Sequence, residues 1–246
     1  MTRIGMLLTQ DNAIDPELWA WCPDDVSLHT TRLQVPDYDI LEDEAVEQGQ
    51  RNDAVVQAAT RTLVMIEPEV VVFGCTSSSF VNGYAAEAEI RESILAAGAK
   101  QALTTSGAVV AALRALGIRK VAVGAPYPAW LSERLRPFLS DAGFEVVSLV
   151  HESPDRLDMV SADEVTHLAE SAYRLEADAI FLSCTAVDTR DLLMPLSERF
   201  GVPVVSAAQA MMWAALGMTG KQLKHPGHRL GEIAYLVEER VAVGAG

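Results

Sequence analysis

The chain has 246 residues, and its 34 acidic and 19 basic side chains give a formal net charge of −15, so it has no electrostatic reason to bind nucleic acid or an anionic membrane surface. Half of the residues are hydrophobic and 22% are charged, the balance of an ordinary globular protein, and the length is enough for one large domain or two compact lobes. No apolar run reaches the ~18 residues of a membrane span. The same charge would repel a carboxylate substrate at long range, so such a substrate requires a closed pocket lined with backbone N–H donors.

Residues 4–8 form a short apolar run directly after the N-terminus, with no cleavage site, and are predicted to be a first strand. A second strand is predicted over 26–32, where Val26, Thr30 and Thr31 favour extended backbone. Apolar residues at helical spacing predict one helix over 44–66. The continuous apolar run 70–74 suits a strand buried on both faces of a parallel sheet. Helices are predicted over 86–97 and 106–116, a strand over 120–123, a helix over 131–142 and a strand over 145–150. A helix over 162–175, a strand over 179–183, a helix over 189–200, a strand over 202–206 and a helix over 207–216 complete the pattern. The alternation predicts an α/β fold with parallel sheets.

Two segments repeat one another. Glu69-Val70-Val71-Val72-Phe73-Gly74-Cys75-Thr76 and Asp178-Ala179-Ile180-Phe181-Leu182-Ser183-Cys184-Thr185 each run from an acidic residue through a buried strand to Cys-Thr. The repeat predicts two similar lobes, each a parallel sheet flanked by helices, with the active site in the cleft between them. The division expected is residues 1–101 plus 207–246 for one lobe and 102–206 for the other.

Ligands of open parallel sheets bind beyond the carboxyl ends of the strands, where Cys75 and Cys184 both fall. Small hydroxyl residues follow each, and a helix starting there offers unpaired N–H groups that hold a carboxylate and lower the pKa of a thiol. A single cysteine at the end of a buried strand is usually a small hydrophobe; the duplication argues against that reading for this pair. Cys22, in Trp21-Cys22-Pro23, has no such setting and reads as a structural or surface thiol. No close pair of cysteines suggests zinc or a redox motif, and free thiols suit a reducing, cytoplasmic location.

On these residues the chain resembles the maleate cis-trans isomerases, within the aspartate/glutamate/hydantoin racemase superfamily. Gly74-Cys75-Thr76-Ser77-Ser78-Ser79-Phe80-Val81-Asn82-Gly83 is similar to the first catalytic segment of that family, and Ser183-Cys184-Thr185-Ala186 to the second. Thr9-Gln10-Asp11-Asn12 matches a substrate-binding Asn after the first strand, and Gly124-Ala125-Pro126-Tyr127 a turn whose Tyr hydroxyl contacts substrate. The resemblance implies a cofactor-independent, metal-free enzyme acting on a small carboxylate. It also implies catalytic Cys75 and Cys184, with Asn12, Thr76, Ser77, Tyr127 and Thr185 around the substrate. The second substrate-binding Asn of the family is missing from 151–160, where Arg156 aligns; an Arg there either pairs with a carboxylate or is a solvated loop residue. A racemase or decarboxylase of the same superfamily is the alternative, although the arylmalonate decarboxylases lack the first Cys. A non-catalytic ligand-binding protein is a third reading, and a homo-oligomer is compatible with all three.

Asn12 is equally placed to cap a following helix, and Tyr127, between two prolines, to stiffen a turn. His225 and His228 read as a surface loop. Asp24-Asp25 and the acidic stretch 42–47 read as solvated faces. Gly5, Gly74 and Gly124 do not make a dinucleotide fingerprint.

Overall fold

The structure, a computed structural model, describes residues 1–13, 15–38, 42–154, 160–224 and 229–235. Two four-stranded sheets, parallel throughout, carry the fold. The first has the order β2-β1-β3-β4, from β1 (Thr2–Leu8), β2 (Val26–Arg32), β3 (Val70–Phe73) and β4 (Ala102–Thr104). The second has the order β6-β5-β7-β8, from β5 (Lys120–Ala125), β6 (Glu145–His151), β7 (Ala179–Leu182) and β8 (Val204–Ser206). The order of the second repeats that of the first, so β7 holds the place that β3 holds. Both strands are buried along their whole length, as their unbroken apolar runs require.

The sheets are linked through two helices that follow equivalent strands. α6 (Thr105–Ala115) starts from β4 with Thr104 as its N-cap, and α11 (Ala207–Met218) starts from β8 with Ser206 as its N-cap. In each case the hydroxyl accepts a hydrogen bond from the third helical N–H, Gly107 or Gln209, satisfying one of the orphan donors of the first turn. α11 is buried from Ala207 to Leu216 and packs along α6. Its run of alanines lets the two backbones approach closely. Among the described residues no helix is long and apolar enough to cross a membrane.

Several predicted elements divide differently. The helix expected over 44–66 is two, α2 (Asp43–Gln50) and α3 (Asp53–Val64); Asn52 breaks it by accepting from the Ala54 N–H and capping α3. The helix expected over 131–142 is also two, α7 (Ala129–Ser132) and α8 (Leu135–Asp141). α1 (Asp15–Trp21) is a helix that the spacing did not suggest, and it begins beyond Asn12. The expected lobe boundary at 101/102 put β4 with the second lobe, but β4 pairs with β3 and completes the first sheet. Three residues running straight into a helix carry too little pattern to be read as a strand. The remaining helices are α4 (Thr76–Phe80), α5 (Glu87–Ala96), α9 (Ala162–Ala172) and α10 (Leu193–Phe200), with a 3-10 turn over Arg229–Glu232.

A buried carboxylate ties α1 to the segment that follows Cys184. Glu17 Oε1 accepts from the Thr189 hydroxyl at 3.0 Å and from its N–H at 3.4 Å, while Oε2 has no hydrogen-bond partner among the described residues. Burial, with Asp188 adding to it, raises the Glu17 pKa from 4.5 to about 7. The folded chain therefore holds this proton through a window in which the unfolded chain has lost it. Stability from this group is greatest below pH 4.5, falls as pH rises, and levels off above about 7, with roughly 3 kcal/mol lost across the window. Glu17→Gln removes that fall. Urea unfolding of both proteins at pH 4.5 and 7.5 should show the variant gaining roughly 3 kcal/mol on the wild type between the two; an unchanged difference contradicts this reading of Glu17.

Candidate active site

The chain leaves β3 through Gly74, whose N–H donates to the Leu7 carbonyl at 2.7 Å. A Cβ at this position would lie 3.1 Å from that same carbonyl oxygen and 2.5 Å from the Leu8 side chain, so no larger residue fits without displacement. Cys75 then takes extended backbone as the N-cap of α4. The serines of α4 are buried and bonded inward. Ser79 Oγ bonds the carbonyls of Cys75 and Thr76 and lies 2.7 Å from Ser106 Oγ on α6. Cys75 Sγ lies 3.2 Å from Ser78 Oγ, 3.2 Å from Gln50 Oε1 and 3.4 Å from Ser77 Oγ. Ser78 Oγ is in turn 2.5 Å from Glu47 Oε2 and 2.6 Å from Gln50 Oε1. The Thr76 hydroxyl is buried with no partner among the described residues, which leaves it free for a ligand.

Cys184 occupies the equivalent position two residues beyond β7, but with φ 103°, a backbone conformation that is costly for a residue with a side chain. Its Sγ accepts from the Ala186 N–H at 3.3 Å. The expected helix does not start here: residues 184–192 form turns and bends, and α10 begins only at Leu193. The positive φ turns the chain away from the helical path that α4 follows.

The two cysteine segments meet directly. Thr185 Oγ1 donates to the Gly74 carbonyl at 2.9 Å, joining the residues beside the two thiols. Asn12 Nδ2 donates to the Thr185 carbonyl at 3.4 Å, so Asn12 reaches across to the second cysteine segment. Ser183 Oγ donates to the Tyr127 Oη at 3.4 Å, and Tyr127 offsets part of the burial that raises the Cys184 thiol. Tyr127 is buried, and the charges of both thiols act on it. Asn12, Cys75, Thr76, Ser77, Tyr127, Cys184 and Thr185 therefore form one cluster. Arg156, His225 and His228 lie outside the described residues.

The electrostatics reverse one expectation. Burial pushes the Cys75 thiol up to about 12, the Glu47 carboxylate adds to the shift, and Ser77 and Ser78 offset part of it. Burial likewise pushes Cys184 up to about 11, against the Ala186 N–H and Tyr127. Loss of hydration outweighs the short helix start that the sequence suggested would lower the thiol pKa. Cys22 is also raised by burial, to about 12, and is a buried core residue.

Glu47 corrects a second expectation. The acidic stretch 42–47 read as a solvated face, yet Glu47 and Gln50 are buried against α4. Their i, i+3 spacing puts both on one side of α2, a signal hidden by the surrounding acidic residues. Asp11 and Tyr38 complete the set that the sequence did not single out: the Asp11 charge acts on Cys184, Glu47 and Tyr38. Among the described residues no group of three or more His, Cys, Asp or Glu is arranged to hold a metal ion.

The maleate isomerase of Nocardia farcinica is 29% identical over 239 residues, 92% of this chain and 93% of its own. The arylmalonate decarboxylase of Bordetella bronchiseptica is 32% identical over 72% of this chain and 77% of its own. In three dimensions a mutant arylmalonate decarboxylase in a liganded form superposes with a TM-score of 0.84 at 25% identity, covering 94% of this chain and 99% of that one. The maleate isomerase of Pseudomonas putida S16 shares the fold, with a TM-score of 0.82 at 21% identity over 95% of this chain and 99% of its own. The arylmalonate decarboxylase family profile matches residues 44–230. With that match and these relatives, the chain belongs to the arylmalonate decarboxylase family, among enzymes that include maleate isomerases.

Proposed function

We propose that the protein is a cofactor-independent cis-trans isomerase of maleate or a close small dicarboxylate, with Cys75 as nucleophile. The observation that supports this reading is the meeting of the two cysteine segments at the Thr185–Gly74 hydrogen bond, beside both thiols. In the proposed reaction the Cys75 thiolate adds to one alkene carbon, and the π electrons move into the adjacent carboxylate as an enediolate. The former double bond is then single and rotates. Collapse of the enediolate expels the thiolate and leaves the trans alkene, fumarate. The free Thr76 hydroxyl and the backbone N–H groups near Thr76, Ser77 and Thr185 are the donors for the developing oxyanion. Cys184 supplies or removes a proton or polarises the second carboxylate. The full-length similarity to the Nocardia farcinica maleate isomerase supports this choice.

A second reading, decarboxylation of a substituted malonate, draws on the similarity to the Bordetella bronchiseptica decarboxylase. It needs one thiol to protonate an enediolate and gives no role to the other.

Separate reactions with maleate, phenylmalonate, aspartate, glutamate and hydantoins in deuterium oxide, followed by NMR, divide the branches. Fumarate from maleate is the expected product. Decarboxylated phenylmalonate without fumarate selects the second reading, and α-deuterated aspartate or glutamate selects a racemase. Cys75→Ser should abolish turnover, because a hydroxyl is not ionised near neutral pH. Cys184→Ser should slow turnover by about 10²–10⁴-fold while retaining binding, and Cys22→Ser should be silent. An active Cys75→Ser together with an inactive Cys22→Ser overturns the assignment. Arg156→Ala should weaken dicarboxylate binding by roughly one to two decades if its guanidinium holds the distal carboxylate; wild-type binding by the variant removes Arg156 from the site.

A further inference from the structure

We propose that Glu47 receives the proton of the Cys75 thiol through the Ser78 hydroxyl. The three groups form a continuous hydrogen-bonded line: Cys75 S–H donates to Ser78 Oγ at 3.2 Å, and Ser78 O–H donates to Glu47 Oε2 at 2.5 Å. All three residues are buried, and α2 brings Glu47 to α4 with Gln50 beside it. Gln50 Oε1, which only accepts, lies 3.2 Å from the thiol and 2.6 Å from the serine, and is the alternative acceptor for each of these two protons.

The transfer balances within the line. The S–H bond breaks and its electron pair stays on sulfur. Ser78 Oγ takes that proton and releases its own to Glu47 Oε2. The products are a thiolate, an unchanged serine and a neutral carboxyl. The net charge of the cluster is the same before and after. That matters because the groups whose charges act most on this cluster are acidic: Asp11 from the loop after β1, Asp43 on α2, and the ionisable Tyr38, Tyr127 and Cys184. Releasing the thiol proton to water would leave a thiolate and a carboxylate side by side in a dehydrated site, whereas the internal transfer leaves one anion. The raised pKa of Glu47, caused first by burial, makes it a better base for this purpose. Glu47 acts through Ser78 and is a positioning residue for the nucleophile; this role rests on the proposed use of Cys75 as nucleophile.

The test follows alkylation of Cys75 by iodoacetamide, a neutral reagent, across pH 5 to 10 in the full chain, read by peptide mass spectrometry with Cys184 as internal control. It needs no substrate, so it stands or fails apart from turnover of maleate. Wild type should show two steps, the first from the thiolate–carboxyl form of the coupled pair. Glu47→Gln, which keeps the shape and loses the acceptor, should collapse the profile to one step. It should also slow Cys75 alkylation at pH 7 by about tenfold or more, with Cys184 unchanged or faster. Ser78→Ala interrupts the same line and should give the same loss on Cys75, so the test survives if either variant fails to fold. Were Glu47 only a neighbouring anion, removing its charge would lower the thiol pKa and speed the reaction. Were it only a packing anchor, both thiols would react faster at every pH. Either outcome overturns the proposal.

Discussion

The hydrogen bond from the Thr185 hydroxyl to the Gly74 carbonyl is the constraint on which the site depends. It connects the carboxyl end of β3 in one sheet to that of β7 in the other. The repeated strand order brings the two ends to equivalent places, and the α6–α11 pair holds the sheets together behind them. Gly74 is fixed by contact with β1 through the Leu7 carbonyl, which leaves no room for a side chain. Thr185 is placed by the turn at Cys184, whose positive φ sends the chain toward the first sheet and away from a helix. The strain at Cys184 is the kind that survives only where surrounding structure over-determines it; here the Ala186 N–H and the Thr185 contact do so.

Burial gives the site its electrostatic character. Both thiols are held well above the range of an exposed cysteine, and the nearby carboxylates Asp11 and Glu47 reinforce the effect. A site of this kind does not present a standing thiolate to the solvent; it forms one when a proton acceptor and a substrate are in place. The same dehydration strengthens every donor that meets an oxyanion, the Thr76 hydroxyl and the first N–H groups of α4 included. The acidic surface and acidic interior both oppose a dianionic substrate, so specificity rests on short-range donors and, in the proposed scheme, on Arg156.

Much of the fold was legible because buried parallel strands and their following helices leave unmistakable runs, and β3 and β7 also share their Cys-Thr ends. The paired thiols followed from that duplication, and Asn12 and Tyr127 from the resemblance. Shorter elements were not legible: β4 is three residues long, and the break between α2 and α3 rests on the single side-chain cap of Asn52. Glu47 was missed because its exposed neighbours Asp43 and Glu44 give the helix an acidic face that reads as solvent, while burial is decided by α4 packing from elsewhere in the chain. The thiol pKa values were expected in the wrong direction for a related reason. A helix start is visible in sequence, whereas dehydration by the other sheet is a tertiary property.

The central claim is that Cys75 and Cys184 serve one small site. Intramolecular bridging by dibromobimane, which becomes fluorescent when it alkylates two neighbouring thiols of one molecule, tests it most directly. The proposed shared site predicts a bridged Cys75–Cys184 peptide in wild type and in Cys22→Ser, and none in Cys75→Ser or Cys184→Ser. Single alkylation of each cysteine without a bridge, or a bridge that includes Cys22, would contradict the shared site.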